Sequence, residues 1–335
     1  SLESLGLSKC GLSPDSLAPL AKAISSMAAI NSLTVDSTGV LKDKYGRAGE
    51  GTQKPYTLTT GDVTINLSQK NLGPADVTLL AMWIQRPEVS AVLTSVNCLN
   101  NPLGDEGLAT LVTAVQDSSV GSICGLTEGQ TTVDWSQQNL GPFDCKIIAA
   151  DFGFRRFSAV LARVSVLSNP IGADGADALI QVFEQNTNLR TLLGIEEGVT
   201  EVNLSEKNVD PGQAKILAAE LKASRAAAVV KKVALSHNNI IGLDKYGEGT
   251  EDTSGFEQLC GVVGNLHELD LSNCNLNPAA MTIFAAKVTW AEAALASFSI
   301  SNNEAIGEAG ADPLMDIIRM TQNIAIHHIK HDGSN

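Results

Sequence analysis

Leu2-x-x-Leu5-x-Leu7-x-x-Cys10-x-Leu12 stands at the start of the sequence, and Leu266-x-x-Leu269-x-Leu271-x-x-Cys274-x-Leu276 repeats it near the end. Alternating apolar residues describe a short strand with one face buried, and the Cys or Asn that follows marks a bend. Placing the middle apolar residue of each copy in register gives Leu5, Leu33, Ile65, Val96, Val133, Val164, Val202, Val233, Leu269 and Phe298. A degenerate eleventh strand is expected near Ile324 to Ile329. Successive steps are 28, 32, 31, 37, 31, 38, 31, 36 and 29 residues, so short and long steps alternate and the larger period is a pair.

The pairing is visible in the residues themselves. Ile65-Asn-Leu-Ser-Gln-Lys-Asn-Leu-Gly-Pro74, Val133-Asp-Trp-Ser-Gln-Gln-Asn-Leu-Gly-Pro142 and Val202-Asn-Leu-Ser-Glu-Lys-Asn-Val-Asp-Pro211 are three copies, 68 and 69 residues apart. Asn100-Asn-Pro-Leu-Gly-Asp-Glu-Gly107 and Ser168-Asn-Pro-Ile-Gly-Ala-Asp-Gly175 belong to the other half of the pair. Proline after the bend suits a helix start, where no amide hydrogen is needed. Leu79, Leu80, Trp83 and Ile84, then Ala176, Leu179, Ile180 and Phe183, follow at helical spacing.

A strand, a bend and a helix every 28 residues or more, under the phrase L-x-x-L-x-L-x-x-N/C-x-L, resembles the ribonuclease-inhibitor class of leucine-rich repeats. The resemblance covers roughly residues 1 to 330. It implies an α/β fold: a right-handed βα solenoid, or horseshoe, with a parallel sheet on the concave face and helices on the convex face. Residues 1–335 are then one domain of about 10–11 repeats, paired into units of about 68 residues. The ladder residues Asn101, Asn169, Asn238 and Asn303 are expected to bond backbone groups at the bend, where no sheet partner exists. Lys70, Gln138 and Lys207 break the ladder, so Asn71, Asn139 and Asn208 are expected to serve those bends instead.

Composition narrows the partners. With 335 residues, 44 % apolar and 18 % charged, the chain can bury a large core, and a repeat array escapes the size limit of a single globular core. A formal net charge of −14 argues against nucleic acid and against an anionic membrane surface. No apolar run is long enough for a transmembrane helix, and no signal peptide opens the chain. Because the first residues already lie inside a repeat, a preceding segment is expected. Six scattered cysteines (10, 98, 124, 145, 260 and 274) form no Cys-x-x-Cys pair, which predicts buried, reduced thiols and a cytoplasmic setting.

Four stretches lengthen a repeat and are expected to be surface loops: about 41–61, 119–131, 190–200 and 242–262. Two of them share Asp-Lys-Tyr-Gly around Tyr45 and Tyr246, which makes those tyrosines candidates for protein contact. The strand positions between the core residues, among them Asn66, Asn97, Asp134, Asn203 and Asp270, are small or polar and are candidates for the concave binding face. They include no arginine or aromatic residue, the types that dominate binding hot spots. Trp135 occupies a core slot, and Trp83 and Trp290 read as core between repeats.

Catalytic motifs are missing: no Walker loop, nucleophile elbow, zincin helix or EF-hand. His327, His328, His331 and Asp332 could hold zinc, but a frayed cap strand is the simpler reading. Asp244, Glu248, Glu251 and Asp252 could hold calcium, but their spacing fits no known loop and a solvated acidic loop is simpler. Ser236 and His237 with Asp244 suggest nucleophilic catalysis weakly, since adjacent strand residues face opposite ways.

The expected function is a non-enzymatic protein–protein interaction scaffold, a structural subunit of a cytoplasmic, cytoskeletal or ciliary assembly. It would use no cofactor and no metal. Its partners would be one or more proteins, with no nucleic acid, no membrane insertion and no small-molecule substrate. The alternatives are a GTPase-activating protein for a Ran-like small GTPase, an activity known in this repeat class, and the recognition domain of a larger receptor.

Overall fold

A computed structural model describes residues 2–40, 53–154, 156–290, 293–320 and 328–330. The chain is mixed α/β and divides into two compact units, Ser1–Thr131 with Lys146–Leu161, and Thr132–Cys145 with Ala162–Asn335. In unit 1 the elements are β1 (Ser4–Gly6), α1 (Pro14–Ser25), β2 (Ser32–Asp36), β3 (Pro55–Thr59), β4 (Thr64–Asn66), α2 (Pro74–Ile84), α3 (Pro87–Ser90), β5 (Ser95–Asn97) and α4 (Gly104–Gln116). Helix α5 (Pro142–Phe154) gives its first residues to unit 2 and the rest to unit 1. Unit 2 begins with β6 (Thr132–Asp134), β7 (Arg163–Ser165), α6 (Gly172–Gln185), β8 (Glu201–Asn203) and α7 (Pro211–Ala223). It continues through β9 (Lys232–Ala234), α8 (Ser254–Cys260), β10 (Glu268–Asp270), α9 (Pro278–Lys287), β11 (Ser297–Ser299), α10 (Ala311–Met320) and β12 (His328–Lys330).

Each of the ten aligned apolar residues lies in a strand, and the strands pair through them. Leu5 is opposite Leu33, Ile65 opposite Val96 and Val133 opposite Val164, all in parallel pairs. Val202, Val233, Leu269, Phe298 and Ile329 form one continuous row. Leu33, Val96, Val164, Val233 and Phe298 are all at most 2 % exposed. Burial of each such side chain contributes roughly 1.5–3 kcal/mol. Trp83, Trp135 and Trp290 are buried, as their slots predict.

The expectation of one parallel sheet needs correction. The described strands form four sheets: β1-β2-β3 and β4-β5 in unit 1, β6-β7 and β8 through β12 in unit 2. The lengthened repeats are the cause. After β5, the Val96 and Cys98 amides donate to Ser122 O (2.9 Å) and Ile123 O (2.9 Å), and the Gly125 amide returns to Val96 O (3.0 Å). After β7, the Val164 and Val166 amides donate to Thr191 O (3.1 Å) and Leu192 O (2.9 Å), and the Gly194 amide returns to Val164 O (2.8 Å). Each inserted segment thus takes the strand edge where the next repeat would pair, and an open edge is a liability that chains cover.

The four stretches are accordingly not mere surface loops. Ser122, Ile123, Thr191 and Leu192 are buried. In the first stretch, β3 pairs antiparallel with β2, Tyr56 opposite Val35 and Leu58 opposite Leu33. The last contains α8, whose Phe256, Leu259 and Cys260 are buried. Alternation alone did not separate these from loops, because each supplies only a few apolar residues between glycines and charges.

The pair period has a backbone cause. In one half, two left-handed residues two apart shape the bend: Gln69 and Asn71 (φ 57 and 62), Gln137 and Asn139 (φ 57 and 57), Glu206 and Asn208 (φ 60 and 51). In the other half a left-handed residue is followed four later by glycine: Asn100 and Gly104 (φ 59 and 68), Ser168 and Gly172 (φ 60 and 60). Asparagine and glycine tolerate this region best. The ladder asparagines bridge the halves. Asn169 Oδ1 accepts from the Gln138 and Leu140 amides at 2.9 and 3.0 Å, and its Nδ2 donates to Trp135 O and Val166 O at 2.8 and 2.9 Å. Asn101, Asn238 and Asn303 repeat the pattern. So the bends without a ladder asparagine are held by the asparagine of the following repeat. Asn71 helps less, donating to Gly39 O at 2.7 Å.

Arginine closes the ends of the helices. Arg225 donates from Nη1 to Phe183 O, Asn186 O and Leu189 O at 2.8, 2.9 and 2.7 Å, at the end of α6. Arg156 donates to Gln116 O and Ser118 O, both at 2.8 Å, at the end of α4. Arg86 reaches Met27 O at 3.2 Å, just past α1. A cation on unpaired terminal carbonyls is favourable twice, by hydrogen bond and by helix dipole. Arg225→Met is expected to cost about 2–3 kcal/mol in urea denaturation, against under about 1 kcal/mol for Arg190→Met, which loses only an exposed ion pair to Glu197.

Candidate functional site

The inserted segments are held from beneath by buried carboxylates. Asp151, on α5, accepts from the Ser122 hydroxyl at 2.8 Å and the Ile123 amide at 2.9 Å. Glu220, on α7, accepts from the Thr191 hydroxyl at 2.8 Å and from the Leu192 and Leu193 amides at 2.6 and 2.9 Å. The two hydroxyls are themselves acceptors: Ser122 Oγ for the Cys124 and Leu126 amides, Thr191 Oγ1 for the Leu193 and Ile195 amides. Burial pushes both carboxyls up to about 7, against the pull of these hydrogen bonds. The two devices are 69 residues apart in sequence, one per pair, and only an acid in an otherwise apolar helix stretch signals them.

A second pair of acids ties helix starts to bends. Asp76 accepts from the Gly73 amide, the Thr38 amide and the Thr38 hydroxyl, each at 2.8 Å, and from the Tyr56 hydroxyl at 3.0 Å. In the third copy the acid sits at the cap itself: Asp210 accepts from the Gln213 and Gly172 amides, both at 2.8 Å. Burial raises the pKa of both. The close approach at α7 also requires glycine, since a Cβ on Gly212 would stand 2.1 Å from Gly172 O.

The five strand candidates lie where the phrase put them, as the last residues of β4, β5, β6, β8 and β10. All five also do structural work that periodicity did not show. Asn66, Asn97, Asp134, Asn203 and Asp270 accept through Oδ1 from the amide two residues on, at 3.0, 3.1, 2.8, 3.0 and 2.9 Å. These Asx turns lead the chain out of the strand. Asn66 and Asn97 are neighbours in unit 1, whereas Asn203 and Asp270 flank Ala234 in unit 2. Hydrogen bonds from Ser136 hold the Asp134 carboxyl below its usual range, helped by Arg163.

Tyr246 is 75 % exposed. It sits in a small hairpin where Asp244 Oδ1 accepts from the Tyr246 and Glu248 amides at 2.8 and 2.9 Å. Glu251 accepts from Asn277 at 2.8 Å. The acids of this loop therefore shape the turn, and no described group of three or more His, Cys, Asp or Glu side chains is placed to hold a metal ion. Ser236 Oγ donates to Ser205 at 2.9 Å, while His237 meets Asn273 at 3.4 Å. Tyr45, His327, His331 and Asp332 lie outside the described residues, and His328 is described only as part of β12.

Five cysteines are buried, as expected, but Cys10 is exposed, because the first phrase has no neighbour over it among the described residues. Burial raises the thiols of Cys98, Cys145 and Cys274 to about 12. No helix among the described residues is long and apolar enough to cross a membrane. No protein-family model matches the chain. No curated protein matches it either.

Proposed function

We propose that this chain is a leucine-rich-repeat array of the ribonuclease-inhibitor class acting as a non-enzymatic protein–protein interaction scaffold. One observation carries the reading. The carboxylates of Asp76, Asp151, Asp210 and Glu220 each bond backbone amides of a bend or inserted segment, as the ladder asparagines do. Groups so engaged hold a surface in place and are poorly free to move protons in catalysis. Repeats that present ordered segments from a firm frame suit recognition of another protein. A structural place in a cytoplasmic, cytoskeletal or ciliary assembly fits the acidic composition and reduced thiols.

Native affinity capture of the tagged chain from its source cells, with cross-linking mass spectrometry, tests this. A stoichiometric protein cross-linked at defined lysines, Lys245 among them, is the expected result. Accelerated GTP hydrolysis by a Ran-like GTPase, or turnover of any substrate by the purified chain, would replace the scaffold reading.

A further inference from the structure

The phrase at Leu2–Leu12 recurs at Leu266–Leu276 with the same apolar residues at the same spacing, and the fold treats the two copies differently. In the later copy Leu266, Leu269, Leu271, Cys274 and Leu276 are all buried, because β10 has a strand on each edge, β9 and β11. In the first copy Leu2 is 49 % exposed, Cys10 is exposed, and Leu5, Leu7 and Leu12 are half-buried. Strand β1 pairs with β2 alone, and no described strand lies on its other edge.

The backbone of that edge is open as well. The Leu7 amide donates to Thr34 O at 2.8 Å, and Glu3 O accepts from the Asn31 amide at 2.7 Å. The odd-numbered residues therefore turn their backbone groups to β2, and strand alternation turns the N–H and C=O of Ser4 and Gly6 outward. Proteins blunt such edges with lysine, proline or a bulge. Strand β1 reads Ser-Leu-Gly and has none of these. A Cβ added at Gly6 would meet nothing within 4 Å, so the edge is free to be approached there.

The residues of the edge match one another. Antiparallel pairing of β1 with β1 of a second copy, Gly6 opposite Gly6, sets Ser4 opposite Ser8, Leu5 opposite Leu7, Glu3 opposite Lys9 and Leu2 opposite Cys10. The outward groups then meet outward groups, and the leucines share the core face. Each exposed Glu3 meets an exposed Lys9, twice across the two-fold axis. Neighbouring registers lose this match: centring on Leu5 sets Glu3 against Leu7, and centring on Leu7 sets Leu5 against Lys9.

We propose that two copies of this chain join edge to edge through β1, the first repeat of each covering the first repeat of the other. The joined sheet runs β3-β2-β1-β1-β2-β3, and the opening leucines become buried like those of Leu266–Leu276. This goes beyond the scaffold reading and stands whether or not another protein binds.

Sedimentation velocity of the full chain over a range of concentrations is expected to show a reversible monomer–dimer equilibrium. Cys10, the one exposed thiol of the six, should react with a maleimide more slowly as the dimer fills. Gly6→Pro removes an outward amide from each copy, spares the bonds to β2, and should weaken the dimer about tenfold, the scale of two lost hydrogen bonds. Glu3→Lys and Lys9→Glu should each weaken it roughly fivefold, and the double variant should restore it. The charge exchange keeps the test decisive if the proline disturbs the fold. A chain that is monomeric at every concentration leaves the edge to another occupant and overturns the proposal. So does protection of Cys10 in a monomer, which would assign the edge to a segment of the same chain. A dimer with Cys10 fully reactive, or a double variant no tighter than the single ones, would place the contact elsewhere and overturn it too.

Discussion

Asn169→Ala is expected to lower stability by about 3–5 kcal/mol, the largest effect of any single polar substitution at a bend. The carboxamide accepts from two amides of the preceding repeat and donates to Trp135 O and Val166 O. It is 1 % exposed, so water cannot replace it. Truncation takes the acceptor from two amides and the donor from Trp135 O, while Val166 O keeps the Gln213 side chain at 3.0 Å; each buried group so orphaned costs about 1–3 kcal/mol before relaxation. Asn66→Ala provides the contrast, since its Asx turn is exposed and should cost under about 1 kcal/mol. Urea denaturation of both variants decides it. Asn169→Asp separates shape from charge: it keeps one acceptor but sets a carboxylate oxygen against two carbonyls. It should regain stability as the pH falls and that carboxyl takes a proton.

Glu220→Leu is the second large effect, on the order of 4 kcal/mol at pH 5, because it leaves the Thr191 hydroxyl and the Leu192 amide without their acceptor and the Leu193 amide with Thr191 Oγ1 alone. The same carboxyl makes stability depend on pH. Burial raises it from an ordinary 4.5 to about 7 in the folded chain. Between those values the folded chain keeps a proton that the unfolded chain has released, so raising the pH favours unfolding. Asp151 acts in the same direction, from 3.8 to about 7. Stability is therefore expected to fall from pH 5 to pH 8 and then level off. Each of these carboxyls contributes roughly 3 kcal/mol to that fall. In Glu220→Leu the slope should shrink, because one of the raised carboxyls has gone. A stability that rises over this range would show that the hydrogen bonds, and not burial, set the carboxyl pKa.

The repeat phrase located the strands well because a half-buried strand imposes a strict alternation, and Leu5 through Phe298 obey it. Helix starts were legible through Pro74, Pro142 and Pro211. What the residues concealed was long-range. That 119–131 and 190–200 would take a strand edge depends on acids 29 residues further on. A lone Asp151 or Glu220 in a helix reads as solvent-facing until its depth is known. Asn66 and Asp134 read as binding residues because the Asx turn has the same composition as a polar concave face. Arg86, Arg156 and Arg225 recur at 70 and 69 residues, so the pair period held the signal for helix capping.

On the proposed scaffold reading the inserted segments are held as firmly as strands, and native-state hydrogen exchange of the full chain at pH 6 reads that holding directly. The amides of Leu192 and Leu193, bonded to Glu220, should exchange as slowly as those of Val164 and Val166 on β7, and Ile123 as slowly as Val96 and Cys98. Exchange of Ile123, Leu192 and Leu193 at the rate of open loops, with the strand amides still protected, would contradict a surface locked by buried carboxylates.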